Sequence, residues 1–482
     1  MAEEYMLSPM SDGNSQPNKP ARACDRCYQV KERCQWSTPS KSCVRCRRLD
    51  FTCTTARPIR PAGRRPRKFQ HLKYTVPALT TALTPNPPTS AYDHAISPFP
   101  FLGNDWIPIE NKLIHFMLDS SQVDKLDGYV LTPRFQNEER RWLVDSLRTS
   151  FPTLKDIYVA CAGSLLQVLE GENETAASLR DLCIRHASAA VTKLRYLSVT
   201  NREDAIICLN LGIGLATFGY SALGANVSGI CRYCLNLIRP IIETEPLSNA
   251  EMQSLLYCLV FFETMDCLAT RQVPTIKVTV PFPTMVDRFI GLSYPLLPIF
   301  YDICLVSNEL AGYLPSQNAE ISRRLDKIET AAIEWIPPVP SNFLGEFQPM
   351  DAVRILAQAR VYRLLALLLI HRLRNPFGQN DREAEHWSQD IINELEFANR
   401  LCNNRPVHCV SMPFLAAAVE VTEPAMRVKM LELVDTYIDS YGPAVRKWAR
   451  FYLTGIWQDR DRGQPTWWLS SDQKSSVGFT SL

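Results

Sequence analysis

Apolar residues recur at three- and four-residue spacing through most of the chain beyond about residue 113. This spacing places the apolar side chains on one face of an amphipathic helix. It is clearest in the stripe Leu179, Leu182, Cys183, Ala187, Ala190, Val191 and Leu194. It predicts helices over residues 138–151, 154–169, 176–197, 251–270, 353–373 and 382–402. We therefore expect residues 126–457 to form a large all-α domain.

Polar residues at the ends of these patterns predict where helices start. Asn201 with Asp204, and Ser248 with Glu251, have the spacing of capping pairs. Strand-like alternation is scarce, and the best case is the segment 275–280, which prolines then end.

The uncharged stretch 205–231 is the one candidate for a membrane span. It is interrupted by asparagines and glycines, whereas a bilayer span needs about 20 predominantly apolar residues in one run. We expect two buried helices joined by a turn near Gly219 and Gly224, and no membrane partner. Cys231 and Cys234 fall on the apolar face of the second helix and are interpreted as buried core thiols.

The N-terminal quarter of the chain has a different amino-acid composition. Residues 1–18 are polar and expected to be disordered, whereas residues 19–56 are dense in cysteine and charge. Residues 57–125 form a basic and then proline-rich linker, with ten prolines between 58 and 108. Residues 458–482 form a C-terminal tail.

The charge of the N-terminal part also differs from that of the rest of the chain. The 52 Lys and Arg residues nearly balance the 50 Asp and Glu residues, for a net charge of +2. Residues 19–75 alone carry 16 basic and three acidic residues, so the remainder of the chain is acidic. A compact basic module attached to an acidic body is typical of a protein that binds nucleic acid through one part.

Six of the 16 cysteines lie between residues 24 and 53. They are spaced C-x2-C-x6-C twice, as Cys24, Cys27, Cys34, Cys43, Cys46 and Cys53. No secretory signal precedes them, which favours metal over disulfides, and iron–sulfur proteins show tighter spacing. Zinc accepts four thiolates in a tetrahedral arrangement.

Each half-motif supplies only three sulfurs, so two four-coordinate ions require two shared thiolates. The repeat predicts that equivalent members of each half, Cys24 and Cys43, form the bridges. The expected cofactor is two Zn²⁺. Because so short a module has almost no hydrophobic core, metal binding would supply its folding energy.

This module resembles the fungal binuclear zinc-cluster (Zn2Cys6) transcription factors. The resemblance rests on the cysteine spacing, the Cys-Asp-Arg-Cys opening at 24–27, the segment 31–34 (Lys-Glu-Arg-Cys) and Pro39 between the halves. It implies that the helix after Cys27 enters the DNA major groove and reads a CGG-type triplet. Lys31 matches the base-contacting lysine of the family and can donate to guanine O6 and N7.

The resemblance also implies a set of basic residues that contact the DNA backbone. Within the module these are Arg26, Arg33, Lys41, Arg45, Arg47 and Arg48. The basic run at 57–68 then contributes Arg64, Arg65, Arg67 and Lys68. This run is interpreted as a DNA-binding arm or a nuclear import signal, or as a solubilising linker.

Residues 126–457 resemble the helical regulatory region of fungal-specific transcription factors, through the segments 262–272, 286–292 and 296–298. No Gly-x-Ser-x-Gly elbow, phosphate-binding loop or His-x3-His pair occurs, so an enzyme is not expected. The expected fold is a small metal-stapled module of two short helix–loop halves plus a large all-α regulatory domain.

The expected function is a nuclear regulator of RNA polymerase II transcription, with double-stranded DNA and the transcription machinery or co-regulators as partners. Metabolic or secondary-metabolite genes are the usual targets of such regulators. A DNA-bound repressor or scaffold, and an enzyme targeted to chromatin, are the alternatives. Helical spacing after the linker lasts barely two turns, too short for a zipper. The protein is therefore expected to be a monomer or a homodimer formed through the helical body.

Overall fold

A computed structural model describes residues 23–31, 34–36, 42–56, 108–119, 130–170, 176–224, 227–244, 250–280, 285–311, 318–439 and 442–463. The chain divides into two compact units, Met1–Asp93 and His94–Leu482. The disordered N-terminus predicted for 1–18, most of the linker and most of the C-terminal tail lie outside the described residues.

The described part of the first unit contains two five-residue helices, α1 (Asp25–Gln29) and α2 (Val44–Arg48). Each starts at the residue after the first cysteine of a half-motif. The four innermost cysteines form the buried centre of this unit.

The second unit is helical, and no strand occurs among its described residues. Its first half contains α3 (Pro108–Leu118), α4 (Gln136–Glu170), α5 (Ala176–Tyr196), α6 (Arg202–Phe218), α7 (Ser228–Thr244) and α8 (Ala250–Thr270). Its second half contains α9 (Leu297–Ala311), α10 (Asn318–Glu334), α11 (Phe343–Glu346), α12 (Pro349–Arg374), α13 (Asp381–Leu401), α14 (Ser411–Glu420), α15 (Pro424–Tyr437) and α16 (Pro443–Asp461).

The six predicted helices are confirmed, with one difference. The segments 138–151 and 154–169 form the single 35-residue helix α4, which is kinked where Ser150 leaves helical geometry (φ −129°, ψ 33°). Pro152 explains the kink, because proline lacks an N–H and its ring disfavours helical geometry in the preceding turn.

The cap predicted at Asn201 is confirmed, since its Oδ1 accepts a hydrogen bond from the Asp204 N–H at 3.0 Å. The second predicted cap, at Ser248, lies outside the described residues. The stretch 205–231 contains the predicted break between helices. The chain continues from α6 as a π-helix over Gly219–Leu223, and Gly224 ends it with φ 56°.

The segment 275–280, which shows the best strand-like alternation in the sequence, forms no strand among the described residues. Its alternation arises because Val278 packs into the helical core while its neighbours face outward. At its start, the Thr275 N–H and hydroxyl both hydrogen-bond to the Glu263 carboxylate of α8, which replaces a strand partner.

Two large hydrophobic cores fill the second unit. One is formed mainly by helices α3 to α8, and the other by the end of α8 with α9, α10 and α12 to α16. Phe343 of α11 belongs to a smaller cluster. Tyr220 and Phe261 pack against both cores and mark their junction. Cys231 and Cys234 are fully buried in the first core, as predicted.

Two helical segments are long and apolar enough to cross a membrane, Arg202–Leu223 and Ala250–Thr270. The most apolar window of the second is 89% buried inside the protein, and that of the first is 50% buried. The core of a soluble protein produces helices of the same length and composition, so these two segments are weak evidence for a membrane.

Candidate metal centre

The thiols of Cys24, Cys27, Cys43 and Cys46 converge at the centre of the first unit. Their sulfur atoms all lie within 4.8 Å of one another and are buried. The Cys24 sulfur is 3.8 Å from that of Cys43 and 3.7 Å from that of Cys46. The Cys43 sulfur is also 3.7 Å from that of Cys27.

These separations fit zinc. Sulfurs bound to one Zn²⁺ at 2.3 Å in a tetrahedron are about 3.8 Å apart. The three short distances have this value, and each involves Cys24, Cys43 or both. Four buried thiols whose sulfurs lie this close together could hold a metal ion.

The remaining two cysteines, Cys34 and Cys53, are half-buried beside this group. The Cys34 sulfur accepts a hydrogen bond from the Cys24 N–H, and the Cys53 sulfur accepts one from the Cys43 N–H, each at 3.3 Å. Burial raises the pKa of both outer thiols, against these N–H hydrogen bonds, and side-chain hydrogen bonds with Cys24 and Cys43 add to the rise. Cys24 and Cys43 thus contact sulfurs of both half-motifs.

Hydrogen bonding repeats along this unit with an offset of 19 residues, which is the separation of Cys24 and Cys43. The Asp25 N–H donates to the Thr54 carbonyl, and the equivalent Val44 N–H donates to the Gln35 carbonyl, both at 2.8 Å. Each bond ties the start of one helix to the end of the other half. The two halves therefore have pseudo-two-fold symmetry, in agreement with the repeat in the sequence.

The same repeat makes Cys24 and Cys43 the N-caps of the two helices. Their sulfurs accept hydrogen bonds from the Cys27 and Cys46 N–H groups, each at 3.4 Å. Burial of the Cys43 thiol opposes ionisation, but hydrogen bonds from Cys46 and neighbouring thiols outweigh it and lower the pKa to about 6. The pKa of Cys24 is lowered for the same reasons.

Cys27 and Cys46 behave in the opposite way. Burial and hydrogen bonding to Cys24 and Cys43 raise the pKa of Cys27 to about 12. The pKa of Cys46 is raised for the same reasons. The chain thus favours the thiolate form at the two N-cap positions, which are the positions predicted to bridge two ions.

The basic residues predicted to bind DNA are distributed around this centre. Lys31, Arg47 and Arg48 are exposed, and Arg45 is half-buried. Arg26 is also exposed, and its guanidinium lies 3.5 Å from the centroid of the Phe51 ring. The other predicted contacts lie outside the described residues: Arg33, Lys41, Arg64, Arg65, Arg67 and Lys68.

Lys31 has a positive φ of 54°, which is uncommon for a residue with a Cβ. Its equivalent in the second half, Asp50, has φ 48°. The unusual conformation is therefore part of the repeated backbone and turns the chain sharply after each short helix. The sequence does not signal it, because neither position holds the glycine that usually ends a helix this way.

Sequence reasoning missed the role of Asp25. Its carboxylate accepts hydrogen bonds from the Thr54 hydroxyl at 3.0 Å and the Ala56 N–H at 2.8 Å. These contacts hold the chain where it leaves the module toward the basic run. They join residues about thirty positions apart, so no local pattern could have revealed them.

Comparison with known proteins agrees with this organisation. Residues 127–476 match the family model described as the fungal specific transcription factor domain. No curated protein and no solved structure gives a significant match to the chain. The match covers most of the second unit and more than half of the protein, so the chain belongs to the family of fungal-specific transcription factors.

Proposed function

We propose that this protein is a zinc-dependent, sequence-specific DNA-binding regulator of RNA polymerase II transcription that acts in the nucleus. The observation that carries the proposal is the cysteine centre, in which Cys24 and Cys43 contact both half-motifs at the spacing of a zinc–thiolate tetrahedron. The fungal-specific transcription factor domain supports the regulatory part. Families defined by this domain are typically non-enzymatic.

Two Zn²⁺ ions would be held by six thiolates. Cys24, Cys27, Cys34 and Cys43 form one set, and Cys43, Cys46, Cys53 and Cys24 form the other. Bound zinc would supply structural energy here, because the described residues of the first unit bury almost no hydrophobic side chains besides the cysteines. The chain itself contributes the backbone N–H groups that stabilise the two shared thiolates.

DNA recognition is assigned to the exposed basic residues. Lys31 follows α1 at the turn and would read guanine in a CGG-type triplet. Arg47 and Arg48 on α2 are exposed and would neutralise phosphates. Arg26, stacked on Phe51, presents its charge in a fixed position.

The remaining organisation follows from this assignment. We propose 19–56 as the DNA-binding domain, 57–125 as the linker with the basic arm or nuclear import signal, and 126–457 as the regulatory domain. The regulatory domain would contact the transcription machinery or co-regulators, or pair with a second copy. Its acidic character keeps it away from DNA phosphates.

The test compares Lys31→Ala with Arg48→Ala in the full chain. Lys31→Ala should weaken binding to a CGG-containing duplex by about 1–3 kcal/mol relative to a scrambled duplex, because a base contact is lost. Arg48→Ala should weaken both duplexes alike and reduce the salt dependence of binding, because a phosphate contact is lost. Fluorescence anisotropy titrations at several salt concentrations measure both effects. Equal losses on the two duplexes for Lys31→Ala would contradict base reading by Lys31.

A further inference from the structure

The second unit contains two neighbouring cavities, of about 250 Å³ and about 140 Å³, called here the larger and the smaller lobe of a junction cavity. The lobes share five lining residues, Tyr220, Phe261, Phe262, Cys409 and Asp439. Tyr220 and Phe261 also pack against both hydrophobic cores, so the cavity lies at the junction of the two halves of the unit. Packed interiors contain few voids larger than a water molecule, and an empty one lowers stability.

The wall of the cavity is mostly apolar and rich in aromatic rings. Met265, Tyr362 and Met412 line the larger lobe. Leu143, Ile213 and Phe289 line the smaller one. Apolar and aromatic walls with a few polar groups characterise sites for small organic molecules, which are often found where two parts of a fold meet.

Two irregular pieces of backbone meet at the cavity. The π-helix Gly219–Leu223 carries Tyr220 into the wall shared by both lobes. On the opposite part of the fold, Cys409 has a left-handed φ of 54°, and the Tyr362 hydroxyl donates to its carbonyl at 2.7 Å. π-helical turns and strained non-glycine residues persist mainly at sites with a function.

Cys409 combines a buried thiol with exposed surface elsewhere on the residue. Protein surrounds its thiol, and this burial raises the pKa of the thiol to about 12. The residue nevertheless retains more exposed surface than any other described cysteine, and it lines both lobes. The raised pKa keeps the thiol in this wall neutral.

The charges around the cavity disfavour an anionic occupant. The Asp439 carboxylate contributes to raising the pKa of Tyr220 and that of Cys409, after burial. The Arg446 guanidinium is already engaged, since it donates to the Ile438 carbonyl at 3.2 Å and the Asp435 carbonyl at 2.8 Å. In the smaller lobe, Glu139 is paired with Arg288 at 2.9 Å.

We propose that this junction cavity binds a neutral, mainly aromatic small molecule that carries a hydroxyl or carbonyl group. Its ring system would occupy the apolar lobes, and its polar group would face the hydroxyls of Tyr220 and Ser411, which both line the larger lobe. Such a ligand would connect the two halves of the regulatory domain. The proposal concerns the helical unit alone. A failure of ligand binding would therefore leave the proposed DNA binding untouched, and the reverse also holds.

The experiment titrates the full chain with prodan, a neutral naphthalene ketone whose emission shifts to shorter wavelength in apolar surroundings. We expect saturable binding of one prodan per chain and a higher Tm. Cys409→Phe places a ring where the lobes meet and should weaken prodan binding by about tenfold or more. Cys409→Ser conserves the volume and should bind prodan as the wild type does.

A second variant covers the case in which Cys409→Phe does not fold, as judged by circular dichroism. Met412→Trp fills the larger lobe from another part of its wall and should likewise weaken prodan binding. Saturable binding that a folded filling variant weakens supports the proposal. Non-saturating dye binding, or wild-type affinity in a folded Cys409→Phe or Met412→Trp variant, would each overturn it.

Discussion

A single buried carboxylate shows how strongly the surroundings of a residue control its chemistry. Asp266 on α8 is only 7% exposed. Burial raises its pKa to about 7, against the hydrogen bond from Ser228 and the charge of Arg232, and Glu263 adds to the rise. The side chain is therefore largely protonated in mildly acidic solution when the protein is folded, whereas in the unfolded chain it ionises near pH 4.

This difference predicts a pH-dependent stability. Because the folded state holds a proton that the unfolded chain releases, the free energy of unfolding from this group falls as the pH rises from about 4 to about 7. Asp266→Asn cannot ionise, so it should unfold at a higher urea concentration than the wild type at pH 8 and gain less at pH 5. We expect a gain of about 1–3 kcal/mol at pH 8.

The exposed Asp181 on α5 provides the control. Asp181→Asn should leave the pH dependence of unfolding as it is in the wild type. Parallel pH profiles for the wild type and Asp266→Asn would show that Asp266 does not gain a proton on folding.

At the scale of elements, helices of the second half are joined by a buried ion pair. Arg372 of α12 binds Glu420 of α14 through two hydrogen bonds, at 3.0 Å and 2.6 Å, and both side chains are 1% exposed. Asp381 at the start of α13 also contacts Arg372, at 2.7 Å. The buried Arg372 guanidinium therefore connects the three helices α12, α13 and α14.

Glu420→Gln should destabilise the protein by about 3–5 kcal/mol, because it leaves a buried charge without its main partner. The matched control is Glu394→Gln, which breaks the pair that Arg360 of the same helix forms at 2.9 Å with its guanidinium 57% exposed. That change should cost about 0–1 kcal/mol, since water solvates the arginine that remains. Urea unfolding followed by circular dichroism measures both, and similar losses would mean that the Arg372 pair contributes no more than a surface pair.

At the scale of the whole molecule, the protein combines two units stabilised by different physics. The described residues of the first unit bury cysteines and little else, whereas the second unit buries two large hydrophobic cores. We therefore expect the two units to respond separately to chelation.

Treatment of the full chain with a strong zinc chelator should release two zinc ions per chain and abolish DNA binding. The helical circular dichroism should stay nearly unchanged, because two large hydrophobic cores stabilise the second unit. Elemental analysis before treatment checks the stoichiometry, and thermal unfolding checks the second unit. One zinc per chain would contradict the shared-thiolate centre, and loss of most helical signal would contradict the independence of the units.

Features that depend on neighbouring residues could be predicted from the amino-acid sequence alone. Helical periodicity predicted α5, α8, α12 and α13 nearly to their ends, because an amphipathic face and its caps are local properties. The repeated spacing of six cysteines predicted a symmetric thiolate centre for the same reason, since a Cys-x2-Cys pair at a helix start brings two sulfurs together.

Features that join distant parts of the chain could not be predicted without the tertiary structure. It joined two predicted helices into α4 and left the segment 275–280 without a strand partner. It also brought Tyr220, Phe261 and Cys409 to one cavity. These outcomes depend on which surfaces pack together, and packing is set by the shape of the whole core rather than by the residues next to each other in sequence.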